Sequence, residues 1–159
     1  MSGLVIGIGN RLRGDDGWGS LLAERIAQTP WGQHARVHCC HQLTPELAEL
    51  ISEVDLVVFL DARLDHEVGT LRCQLVEPAD DVAAAFTHQV DPATLLAYAE
   101  RLFSRRPLAF QVSIAGVAFG PEERLSPLVE ASLPTAVAQV EELFERVGGQ
   151  LAAAPVSHA

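Results

Sequence analysis

Five consecutive apolar residues, Leu56-Val57-Val58-Phe59-Leu60, run straight into Asp61, and no other feature constrains this chain as much. A half-buried strand alternates apolar and polar side chains, because successive residues face opposite sides of a sheet. An unbroken apolar run of this length reads as a strand covered on both faces, as in a parallel sheet with helices above and below. It is far short of the roughly 20 residues a membrane-spanning helix needs.

The flanking pattern repeats this theme. Leu4 to Gly9 reads as a first buried strand, followed by a polar loop from Asn10 to Gly17. Residues 18–28 carry Trp18, Leu22 and Ile26 at a spacing of four, which predicts an amphipathic helix. Arg36 to Cys40 reads as a second strand. Thr44 as N-cap and Pro45 at the first helical position predict a short helix. The third strand is Asp55 to Ala62, the fourth Leu71 to Val76 and the fifth Leu108 to Val117.

Asp91 to Ser104 reads as a helix with Leu95, Leu96, Ala99, Leu102 and Phe103 along one side. A last helix is expected over Pro127 to Val147, with Pro134 kinking it or marking a late start. Strands alternating with helices predict one α/β domain over residues 1–147 around a mostly parallel sheet. Residues 148–159, rich in alanine, are expected to form a flexible tail.

Composition removes several functions. The chain holds no lysine: all 11 cationic side chains are arginine, against 21 Asp and Glu, for a net charge of −10. A P-loop, a pyridoxal Schiff base and a lysine general base are therefore excluded. The acidic balance argues against non-specific nucleic-acid binding, which requires a basic surface. The N-terminus lacks a basic region and a long apolar segment, so a cytoplasmic protein is expected, with no membrane attachment. Three cysteines, Cys39, Cys40 and Cys73, fit a reducing compartment and read as small buried hydrophobes.

In an open α/β sheet, ligands bind beyond the carboxyl ends of the strands. The first such loop reads Gly7-Ile8-Gly9-Asn10-Arg11-Leu12-Arg13-Gly14-Asp15-Asp16-Gly17. Leu12 stands where a dinucleotide fingerprint needs its third glycine, and two adjacent acids would repel a pyrophosphate. The glycines read instead as sharp turns and close backbone approach. Of the acid pair, only one readily faces a given site; a solvated turn or a helix cap is the competing reading. Asp61, at the carboxyl end of a central strand, projects into the same crevice. His88 precedes a helix and, taken alone, reads as a surface histidine.

Together, Asp16, Asp61 and His88 would make a set of two carboxylates and one imidazole. Such a set suits a divalent transition metal and leaves positions open for water or substrate. No GxSxG, no HExxH and no cysteine beside a base competes with it. His41 follows the second strand and reads as a supporting or substrate-contact residue.

The pattern Gly7-x-Gly9-Asn10-x-Leu12-x-Gly14-Asp15-Asp16-Gly17-x-Gly19 resembles the opening of the hydrogenase maturation proteases. The likeness continues through the Asp61 strand end and the His88-Gln89 segment, and the order of elements fits from residue 4 to about 147. The resemblance implies a three-layer α/β/α sandwich around a mainly parallel five-stranded sheet. It implies an endopeptidase, acting as a monomer, that removes a C-terminal extension from the large-subunit precursor of a nickel–iron hydrogenase after nickel insertion. By position, Asp16, Asp61 and His88 would contact the metal, with nickel arriving in the substrate and another divalent ion as the alternative. Asp15 would shape the loop.

Two departures mark this chain. Asp16 stands where some members have glutamate. Cys40-His41-Gln42-Leu43-Thr44-Pro45 replaces the Asp-Gly-Gly-type turn that many members carry after the second strand. The second bears on which hydrogenase is served and how its extension is held. Two alternatives stand beside the protease: a general metal-dependent hydrolase of small amides or esters, and a receiver-like regulatory module. The receiver arrangement uses a lysine after its fifth strand, which this chain lacks.

Overall fold

A computed structural model of the chain describes residues 1–81 and 90–153. Five strands, β1 (Gly3–Ile8), β2 (Arg36–Cys40), β3 (Leu56–Arg63), β4 (Leu71–Leu75) and β5 (Leu108–Ala115), form one sheet in the order β2-β1-β3-β5-β4. Every pairing is parallel except β4 with β5, where the short edge strand runs antiparallel. The helices are α1 (Trp18–Ala27), α2 (Leu47–Ser52), α3 (Pro92–Phe103), α4 (Pro127–Ala131) and α5 (Leu133–Ala153). This is the expected three-layer α/β architecture around a mainly parallel five-stranded sheet.

The apolar run of β3 explains the layers. Leu56, Val58 and Leu60 face α1 and α5, packing with Trp18, Leu22, Leu133 and Val140. Val57 and Phe59 face the other way, toward Ile51 of α2 and Leu95 of α3. All five are completely buried. Each burial contributes about 2 kcal/mol, which fixes β3 at the centre of the sheet. By the same alternation, Asp61 falls on the α2/α3 side.

Several boundaries differ from the sequence reading for physical reasons. β3 continues two residues past Asp61, because β5 pairs with it as far as Arg63↔Ala115. The helix expected from Thr44 starts at Leu47; residues 45–46 form a turn bonded by Thr44 and Pro45 carbonyls, and no side chain caps it. Leu102 and Phe103 lie exposed at the end of α3, where Ser104 takes a left-handed conformation and turns the chain away. The last helix is two: α4 ends before Ser132, and Pro134 sits in the first turn of α5, where its missing N–H costs nothing. α5 continues to Ala153, past Gly148, where the sequence pattern starts the tail. Among the described residues, no helix is long and apolar enough to cross a membrane.

Candidate active site

The strand order sets the location. From β1 the chain moves outward to β2, then returns to the opposite side of β1 as β3. The order reverses between β1 and β3, and a crevice opens at their carboxyl ends. The loop after β1 and the end of β3 both border it.

The glycine-rich loop packs too closely for side chains. Gly9 has φ +134°, and a Cβ there would lie 1.8 Å from the Asp16 carbonyl oxygen. Gly19 brings α1 against the strand ends: its Cβ would sit 2.3 Å from the Leu60 carbonyl oxygen and 2.5 Å from that of Ile8. These two residues let the loop fold back over β1 and carry its acid pair to the crevice.

The neighbouring acids then separate. Asp15 is fully buried. Its Oδ2 accepts bonds from the Val117 amide (2.8 Å), the Ala118 amide (3.0 Å) and the Ser126 hydroxyl (2.8 Å), and Oδ1 accepts from the Ser126 amide (2.7 Å). Burial acts to raise its pKa. The bonds from Ala118, Ser126 and Val117 outweigh that, and the carboxyl lies below its ordinary value. Asp15 thus clamps the segment after β5 onto the loop after β1.

Asp16 points elsewhere. Its Oδ2 accepts from the Asn10 amide at 2.8 Å. Its charge is felt by Asp61, whose carboxyl burial pushes up to about 7; the Ala62 amide works against the rise and Asp16 adds to it. The fold therefore brings these two carboxylates within electrostatic reach, one from the β1 loop and one from β3. Asp61 lines a cavity of about 310 Å³ with Ile8, Leu43, Val90, Pro92 and Gln111. Asp91, which also borders it, uses its side chain to cap α3 through the Thr94 amide (2.8 Å).

His88 lies outside the described residues. Among the described residues, no three His, Cys, Asp or Glu side chains gather into a metal cage. His41 lines an adjacent cavity of about 310 Å³ with Asn10, Arg11, Cys39 and Cys40. A larger cavity, about 400 Å³, lies away from these acids, between Glu77, Arg101 and Arg106.

No family model matches the chain, and no curated protein does. Solved structures do match. The hydrogenase maturating endopeptidase HybD from E. coli superposes with a TM-score of 0.73 at 24% identity, covering 93% of this chain and 94% of that one. The [NiFe] hydrogenase maturation protease HycI from Thermococcus kodakarensis KOD1 gives 0.67 at 24%, over 91% and 92%. The hydrogenase 2 maturation peptidase from Thaumarchaeota archaeon SCGC_AB-539-E09 gives 0.67 at 24%, over 93% and 99%. The chain has the fold of the hydrogenase maturation endopeptidases.

Within that fold, the expectation of buried cysteines fails. None of the cysteines is buried: Cys39 and Cys73 are exposed and Cys40 is half-buried. β2 and β4 are the two sheet edges, so side chains there meet solvent instead of a covering helix. Burial still raises all three thiols, Cys40 to about 11, which keeps that one neutral at physiological pH. The sequence reading also passes over Gln111, which shares the Asp61 cavity with Leu43 of the loop after β2. A signal for Gln111 exists: with Ser113 it interrupts an otherwise apolar interior strand.

Proposed function

We propose that the chain is an endopeptidase that removes the C-terminal extension of a nickel–iron hydrogenase large-subunit precursor once nickel has been inserted. The observation that carries this reading is the fold shared with the maturation endopeptidases over more than 90% of the chain, with Asp16 in the loop after β1 and Asp61 near the end of β3 at the strand-order reversal.

Asp16, Asp61 and His88 are the proposed metal-contacting set, with nickel brought by the precursor as part of the substrate. The donor chemistry fits: carboxylate and imidazole suit a borderline divalent ion. Two carboxylates in each other's field, one of them poorly solvated, lack a cationic partner among the described residues, and a divalent ion would supply one. His88 stands two residues before Val90, which lines the Asp61 cavity, and this supports its place in the set. With these residues holding it, the ion would supply polarisation of a peptide carbonyl or an activated water. The protein's own part is to fix Asp16 through the Asn10 amide, to hold Asp61 half-buried in its cavity, and to present both at the carboxyl ends of the central strands.

The test is a variant series. Asp16→Asn, Asp61→Asn and His88→Ala should each abolish precursor processing while far-UV circular dichroism stays unchanged. Normal cleavage of nickel-loaded precursor by the double aspartate variant contradicts the assignment. Turnover of small amides or esters with no precursor present would favour the general hydrolase instead.

A further inference from the structure

β4 ends one side of the sheet, and among the described residues no strand pairs with its outer edge. In an antiparallel pair, the backbone groups of alternate residues bond the partner and those in between point away. Both ends of β4 set the phase. The Ala115 amide donates to the Thr70 carbonyl at 3.1 Å, and the Val76 amide donates to the Ala109 carbonyl at 2.9 Å. Arg72 and Gln74 share that phase and bond to β5. The N–H and C=O groups of Leu71, Cys73 and Leu75 therefore face outward.

The same three residues carry the less polar side chains. They stand opposite Ile114, Val112 and Phe110, on the α5 side of the sheet. Leu71 is half-buried, Cys73 is exposed and Leu75 is 52% exposed. Arg72 and Gln74 take the other side, where Arg72 is tied to Asp65 at 3.1 Å. Sheet edges are commonly guarded by proline, lysine, a bulge or a covering element. Leu71-Arg72-Cys73-Gln74-Leu75 has no proline and no lysine, and its register with β5 is unbroken. Such an edge can accept another strand.

The order of its residues says which strand. Leucine, polar, cysteine, polar, leucine reads the same in both directions. Two copies laid antiparallel about a two-fold axis at Cys73 set Leu71 against Leu75 of the second copy, and Cys73 against its equivalent. Each of these outward-facing pairs exchanges two backbone hydrogen bonds. Arg72 falls opposite Gln74 of the second copy, so no like charges meet. Slipping the register either way leaves a leucine outside the ladder, and one of the two slips sets Arg72 against itself, which is unfavourable.

We infer that the free edge of β4 is the interface of a symmetric homodimer, in which the two sheets join into one. This differs from the monomer that the family resemblance implies, and it does not depend on the proposed activity. The axis stands perpendicular to the sheet, so the two acid-lined crevices open at opposite ends and both stay accessible. A seam of one short strand per copy buries less than the roughly 1,200 Å² of a standard interface, so the association is weak and concentration-dependent.

The experiment is sedimentation velocity of the full chain under reducing conditions, diluted from millimolar protein, for wild type, Gln74→Glu and Gln74→Arg. Gln74→Glu gives Arg72 of the other copy an opposite charge, and Gln74→Arg gives it a like one, twice in each dimer. Wild type should show a reversible monomer–dimer equilibrium. The dissociation constant should fall about 2- to 30-fold in Gln74→Glu and rise by a similar factor in Gln74→Arg. Non-specific association of a chain with net charge −10 would respond with the opposite sign. Diamide, which takes up the two hydrogens as two thiols join, should link Cys73 to Cys73, since hydrogen-bonded pairs with Cα atoms about 5.5 Å apart lie within disulfide reach. A wild type that stays monomeric throughout, a dimer that Gln74→Glu weakens, or a diamide link through Cys39 instead overturns the inference.

Discussion

Adjacent aspartates with opposite duties allow a sharp test by the same substitution made twice. Asp15→Asn keeps the size of the side chain and removes one acceptor oxygen and the charge. In the native structure Oδ2 receives three donors and Oδ1 receives one. An asparagine can preserve the crowded side by placing its oxygen there. Its NH₂ group then faces the Ser126 amide, donor against donor. The loss is one charge-assisted bond at about 1.5–3 kcal/mol, plus the weakening of the three that remain, for a total of about 3 kcal/mol. For a domain of this size that lowers the thermal midpoint by roughly 6–12 °C. Asp16→Asn loses at most the Asn10 contact and should stay within about 1 kcal/mol of wild type.

Urea unfolding at neutral pH measures both, with an unchanged m-value showing that the unfolded state is the same. The Asp15 contribution also has a direction in pH. Its carboxyl lies below the ordinary value in the fold, so its stabilisation is present above about pH 4 and is lost as pH falls through the folded value. An Asp15→Asn variant as stable as wild type, or a less stable Asp16→Asn, would refute the division of labour between the pair.

Other outcomes follow from the same geometry. The metal-free Asp61→Asn variant should be more stable than wild type: a shift from 3.8 to about 7 withholds up to about 4 kcal/mol from the ionised protein. Because the folded state holds this proton more tightly, the gain should grow from about pH 4 to about pH 7 and then level off; a pH-independent difference in urea unfolding would contradict it. Gly19→Ala should cost about 2–3 kcal/mol despite the better helix propensity of alanine, since its Cβ meets the immobile carbonyls of Leu60 and Ile8. Differential scanning calorimetry reads that loss directly. Cys39 and Cys73 should react with a maleimide in the native protein ahead of half-buried Cys40, as peptide mapping by mass would show.

Much of this architecture was legible because burial writes itself into strands. The run Leu56–Leu60 placed β3 between two helical layers, and the spacing of Trp18, Leu22 and Ile26 placed α1 against it. Asp61 was legible as the first polar residue after that run. Edge strands were harder, since the apolar or sulfur-bearing side chains of β2 and β4 look like core residues until the sheet order is known. The Asp15 clamp was beyond sequence reasoning: Ser126 is 111 residues away, and no local pattern links an acid to a distant amide. Gln111 was overlooked for a related reason. A polar residue in a strand gains meaning only when the elements packed over its face are known to leave a cavity there.

The central claim is that these two carboxylates serve a processing reaction keyed to a metal in the protein substrate. The most direct measurement incubates the wild-type chain with its co-encoded hydrogenase large-subunit precursor, nickel-loaded and nickel-free, and follows intact mass. The account predicts loss of the C-terminal extension from the nickel-loaded precursor alone. Cleavage of both forms, or of neither, would contradict it.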